Sequence, residues 1–211
     1  MVTLRRLVLA LSFGALVSGC ARREEAAREA PTPDSLPIVV LETSMGRIVL
    51  ELDRARAPRT VDNILRHLAV KFYDGLIFHR VAAGFVVQTG MATPDGMVRT
   101  SSAPPVVNEA ENGLKNLRGT LGLARFSDPQ SGGVQFFINL KDNPELDFRA
   151  RTRGAWGYAV FGRVTEGMDV VDRIGRARTG TAAGKGETPV EPIIVNRAYV
   201  VARDSTGRPT P

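Results

Sequence analysis

The chain is poor in the residues that build disulfides, metal centres and membrane spans. Among its 211 residues are one Cys, two His and one Trp. A lone Cys, Cys20, excludes an internal disulfide. His67 and His79 with that one Cys do not make a metal site, and none is expected. No Ser–His–Asp grouping of a hydrolase is evident. The Gly-rich piece from Gly180 to Gly186 lacks the Lys-Ser/Thr ending of a phosphate loop and is expected to be a flexible loop. The N-terminal apolar run, Leu7 to Val17, is about a dozen residues, well short of the roughly 20 needed to cross a bilayer as a helix. Lys and Arg number 28 against 22 Asp and Glu, a net charge of +6. The basic residues are scattered among acids and form no stripe interleaved with aromatics, so no nucleic-acid partner is expected.

What is present begins with a leader. Met1 to Arg6 is short and positive, and the apolar run after it has the length of a signal-peptide core. It ends in Val17-Ser18-Gly19-Cys20, and small residues just before a Cys resemble the lipobox of bacterial lipoproteins. That resemblance implies a leader over residues 1–19 and a lipid anchor on Cys20. The mature protein would be held on the periplasmic side of a bacterial membrane. Acylation would also remove an exposed thiol. Ala21 is compatible with sorting to an outer membrane. Residues 20–37, with Pro31, Pro33 and Pro37, read as an extended tether. Residues 38–202 read as one domain, and 203–211 as a loose polar tail.

Within the domain, Ile38–Thr43 and Arg47–Asp53 are β-branched runs around Ser44-Met45-Gly46, a hairpin signal. Pro58 suits the first turn of a helix, where its missing N–H costs nothing. Val61, Ile64, Leu65, Leu68, Ala69 and Phe72 follow at helical spacing. His67 falls on the side of that pattern expected to face solvent. Leu76–Val81 and Phe85–Thr89 read as short strands, and Gly90–Arg118 as a long surface loop. Thr120–Ala124, Val134–Asn139, Tyr158–Val164 and Ile193–Val201 read as further strands, and Gly167–Ile174 as a second helix. The pattern predicts a mainly β fold, a closed eight-stranded antiparallel barrel capped by two α-helices.

Four segments carry the functional signal. They are Phe78-His79-Arg80-Val81 with Phe85-Val86-Val87-Gln88-Thr89-Gly90, Asn108–Leu114 with Arg118–Arg125, Gln135–Asn139, and Tyr158–Val164. In order and spacing they resemble the cyclophilin-type peptidyl-prolyl cis/trans isomerases, most nearly bacterial periplasmic ones. The resemblance implies an isomerase acting on Xaa–Pro bonds of polypeptide substrates, without a cofactor and as a monomer. It implies Arg80 as the catalytic residue. It implies Phe85, Phe137 and Leu146 as the seat of the proline ring, with Val86 beside them. Gln88 and Gln135 would hold peptide carbonyls and the guanidinium. Ala124 and Arg125 would offer backbone to the substrate, Tyr158 would stand at the rim, and His79 would line the cleft. The rival expectation is a non-catalytic module that binds proline peptides in an envelope complex.

Three departures stand out. Glu145 falls where many eukaryotic cyclophilins carry the Trp associated with cyclosporin binding, so weak cyclosporin binding is expected. Thr89 stands where Gly is usual and is expected to alter its strand. Arg149–Trp156 reads as a longer loop than in short members.

Overall fold

The computed structural model describes residues 36–180 and 186–201. The leader, Cys20, the tether as far as Ser35, residues 181–185 and the tail from residue 202 lie outside them.

The chain runs β1 (Ile38–Thr43), β2 (Gly46–Leu52), α1 (Pro58–Ala69), β3 (Arg80–Ala82), β4 (Val86–Thr89), β5 (Thr120–Leu123) and β6 (Phe136–Asn139). A 3-10 turn over Pro144–Leu146 comes next, then β7 (Val160–Glu166), α2 (Met168–Gly175), β8 (Thr179–Gly180), β9 (Thr188–Pro189) and β10 (Val195–Val201). Eight strands form one antiparallel sheet in the order β10-β1-β2-β7-β5-β6-β4-β3, while β8 and β9 make a separate two-residue ladder. The sheet curls into a half-barrel. Its terminal strands β3 and β10 are not laddered to each other. The seam is stitched just upstream of both, by an Ile77–Ile194 bridge and by bonds from Phe78 N to Ile193 O (2.9 Å) and Val195 N to Leu76 O (2.7 Å). Leu76–Phe78 therefore serve as a seam, and of the expected Leu76–Val81 strand only Arg80 and Val81 are laddered, in a β3 that runs on to Ala82.

The outer amides of the terminal strands are partly engaged elsewhere. Val81 N donates to Glu187 O at 2.6 Å, and Ala198 N donates to the Asp74 carboxylate at 2.9 Å.

β1 reads as a nearly unbroken apolar run because both of its faces are covered. Val39 and Leu41 enter the main core, whereas Ile38 and Val40 join Val49 in a small second cluster under Tyr199 and Val201. α1 starts at Pro58, and Val61, Ile64 and Leu68 bury its apolar stripe in the main core. Its residues supply no side-chain cap. Glu109 supplies one from the Gly90–Arg118 section. It accepts from Arg59 N (3.0 Å), Thr60 N (2.9 Å) and Thr60 Oγ1 (2.7 Å). A carboxylate there satisfies orphan amides and complements the positive end of the helix dipole.

His67 corrects an expectation. It is 6% exposed, with Nδ1 2.7 Å from Asn63 O and Nε2 2.7 Å from Ser101 Oγ. The cause is the Gly90–Arg118 section, which folds over the face of α1 that looks polar in isolation. That section has no strand, only isolated bridges at Ala92–Val98 and Val106–Gly132. It is nevertheless anchored by buried Val106, Asn108, Ala110 and Asn116. Thr89 also differs from expectation: it stays in register opposite Phe136 and satisfies its hydroxyl on Ile77 O at 2.9 Å.

Candidate active site

The site is one rung of the sheet. Arg80 on β3 pairs with Gln88 on β4, Gln88 with Phe137 on β6, and Phe137 with Gly122 on β5. Paired residues on adjacent antiparallel strands point to the same face, and neighbours along each strand point to the other. Val81, Val87, Ile138 and Leu121, one residue along, accordingly sit in the main core. Arg80, Gln88 and Phe137 open instead onto a cleft on the outer face. The same alternation separates Phe136 from Phe137. Phe136 meets Tyr73 and Phe161 edge-on in the core, while Phe137 meets the Tyr158 ring edge-on at 5.6 Å.

The cleft encloses about 550 Å³. Ten of the sequence-derived site residues line it: Arg80, Phe85, Val86, Gln88, Ala124, Arg125, Gln135, Phe137, Leu146 and Tyr158. His79, the remaining one, does not. Its Nδ1 is buried without a hydrogen-bond partner. Burial, reinforced by the neighbouring Arg80 charge, pushes its pKa down to about 4, so the ring is neutral.

The apolar walls of the cleft are fixed from behind. Phe85 O receives Leu140 N at 2.9 Å and Asn143 Nδ2 at 3.2 Å, which locks the turn carrying the ring. Tyr158 N donates to Leu146 O at 2.9 Å, tying two walls together. Gly122 leaves the space that the Phe137 ring occupies, for a Cβ there would lie 2.2 Å from Phe137 Cζ. Ala124 N is already bonded to Gln135 O at 2.9 Å, so its carbonyl is what remains to offer a peptide. The Arg125 side chain folds back, with Nε on Gly157 O at 2.9 Å and the guanidinium 4.6 Å above the Tyr158 ring. It buttresses the rim.

The guanidinium of Arg80 lies 6.0 Å from the Phe85 ring centroid. Gln88 and Gln135 do not hold it. They bond to each other, Gln88 Nε2 to Gln135 Oε1 at 2.9 Å. Glu187 holds it instead, with Arg80 Nε to Oε2 at 2.6 Å and Nη2 to Oε1 at 3.5 Å. Sequence reasoning missed Glu187. It lies 107 residues beyond Arg80, beside a Gly-rich piece, and no local pattern marks it. The cleft also reaches past the expected residues to Asn63, His67, Met91 and the Val98–Pro105 stretch. Glu145 is exposed and lines an adjoining depression with Arg149 and Arg153.

Comparison with known proteins agrees with this geometry. A family model described as cyclophilin type peptidyl-prolyl cis-trans isomerase/CLD matches residues 38–200. Peptidyl-prolyl cis-trans isomerase cyp18 of Streptomyces antibioticus is 50% identical over 163 residues, covering 77% of this chain and 98% of that protein. Peptidyl-prolyl cis-trans isomerase B of Escherichia coli is 43% identical over 163 residues, covering 77% and 99%. A crystal structure of a Cryptosporidium parvum cyclophilin type peptidyl-prolyl cis-trans isomerase, in the presence of the dipeptide Ala-Pro, superposes with a TM-score of 0.64 at 25% identity. It covers 79% of this chain and 99% of that one. The rung, the cleft and these matches together place the chain in the family of cyclophilin-type peptidyl-prolyl cis-trans isomerases.

Proposed function

We propose that the Arg80 guanidinium catalyses rotation of Xaa–Pro bonds in extracytoplasmic polypeptides, with the enzyme tethered through Cys20. Rotation about a peptide C–N bond faces a barrier of roughly 18–20 kcal/mol because resonance is lost on twisting. No bond is broken, so catalysis consists of binding the twisted amide better than either planar form. The twisted prolyl nitrogen regains a lone pair and accepts a hydrogen bond. A fixed cationic donor is therefore worth most at the transition state. Phe85, Phe137 and Leu146 seat the ring, and the Ala124 carbonyl holds the peptide backbone.

The single observation carrying this reading is the placement of the Arg80 guanidinium over the Phe85 side of the Phe137 notch. Support for the compartment comes from the leader sequence and the lipobox-like Val17-Ser-Gly-Cys20. A protease-coupled assay on a proline peptide tests the mechanism. Arg80→Ala should lose at least about 100-fold in kcat/KM, the loss of about 2.7 kcal/mol typical of removing one such donor. Parental activity in that variant would reject the role. Mass spectrometry of the mature N-terminus should find a diacylglyceryl Cys20, and an unmodified thiol there would reject the anchor.

A further inference from the structure

We infer that Glu187 is the positioning residue of the reaction, a carboxylate that holds Arg80 so that its free edge meets the prolyl nitrogen. The inference rests on the role proposed for Arg80 and adds the device that fixes its geometry. A guanidinium presents five N–H donors in a planar fork at the end of a side chain with several rotatable bonds. In an open cleft such a group samples many rotamers, and a donor is useful in catalysis only if it is already placed. The neighbouring amides of Gln88 and Gln135 are committed to each other. Glu187 grips the inner side of the fork at Nε (2.6 Å) and Nη2 (3.5 Å). Among the described residues Nη1 makes no hydrogen bond, so one N–H pair of the fork is left for a ligand. Both partners are only about a third exposed, 35% for Arg80 and 34% for Glu187, so the pair is shielded from the bulk.

The backbone reinforces the grip. Glu187 O accepts from Val81 N at 2.6 Å, one residue beyond Arg80. One residue therefore fixes both the strand that carries the arginine and the head group at its tip. The Phe85 ring centroid lies 6.0 Å from the guanidinium carbon, at the edge of cation–π reach. The charge has a second effect. Glu187 offsets the positive charge of Arg80, so the cleft is less attractive to acidic peptides than a bare arginine would make it.

A double-mutant cycle tests the inference. Glu187→Ala should lower kcat about tenfold with KM for a neutral proline peptide nearly unchanged and with the parental melting temperature. Glu187→Asp, which keeps the charge on a shorter arm, should recover part of the loss. In the Arg80→Ala background Glu187→Ala should cost nothing further, because its effect passes through the arginine. The Arg80 Nε–H proton resonance should lie downfield and exchange slowly in the parent, and should lose both properties in Glu187→Ala. Full activity in Glu187→Ala overturns the inference, as does an equal loss in the Arg80→Ala background. Parental activity in Arg80→Ala alone marks the failure of the catalytic reading instead, so the two failures are separable.

Discussion

Gly122→Ala should damage the enzyme although Gly122 touches no substrate. The glycine lies opposite Phe137 in the ladder, and the aromatic ring rests over it. A methyl group there would sit 2.2, 2.6 and 2.8 Å from Phe137 Cζ, Cε2 and Cε1. Relaxed carbon contacts are about 3.5–4.0 Å, so the ring has to move by more than about 1 Å. The ring is 4% exposed and meets the Tyr158 ring edge-on at 5.6 Å, and both line the cleft, so any shift reshapes the notch. Overpacking of this kind costs about 1–3 kcal/mol. If about 1.4 kcal/mol of that falls on the notch proposed to seat the proline ring, kcat/KM falls tenfold. The remainder should appear as a lower melting temperature by circular dichroism. Phe137→Leu in the same background should relieve the stability loss, since Leu has no ring to displace. A Gly122→Ala enzyme with parental activity and parental melting would refute the argument, because it would mean that the ring does not lie on the glycine.

Other perturbations have equally definite outcomes. Glu109→Ala should destabilise the domain by about 1–2 kcal/mol, as loss of a helix cap does, with Glu109→Gln intermediate; urea melts that coincide with the parent would remove the capping role. His79 is neutral in the folded state down to about pH 4, whereas the unfolded chain takes up its proton below about 6.5. Stability is thus lost as pH falls from 6.5 to 4, by up to about 3 kcal/mol, and His79→Gln should flatten that slope; an unchanged slope would assign it to other groups. Glu145→Trp should tighten cyclosporin binding by restoring an apolar face and an indole donor, read by calorimetry, and a nanomolar dissociation constant in the parent would contradict the premise.

Much of the fold is legible in the sequence, because β1, β2, β10 and the stripe of α1 are written as local periodicities. Ten site residues fall together because strand alternation and one rung decide which side chains share a face. What escapes is non-local. His67 looks exposed in a helix taken alone, and only the Gly90–Arg118 section, which carries no periodic signal, reveals that it is buried. Glu109 and Glu187 are single acids in irregular stretches, yet one caps a helix about 50 residues away and the other grips an arginine 107 residues away. Leu76–Phe78 have strand composition, yet they join Ile193–Val195 by one bridge and single bonds rather than by a ladder.

That stitching bears on how the protein behaves in company. A row of idle amides along a sheet edge can recruit strands from a neighbouring molecule and start aggregation. Here both terminal strands interrupt such a template. β3 is only three residues long, and its Val81 amide is taken by Glu187. β10 has its Ala198 amide blocked by the Asp74 carboxylate, and Arg197 adds charge beside it. An enzyme whose substrates are polypeptide chains meets extended segments at its surface, and edges interrupted in this way offer them little continuous backbone to pair with.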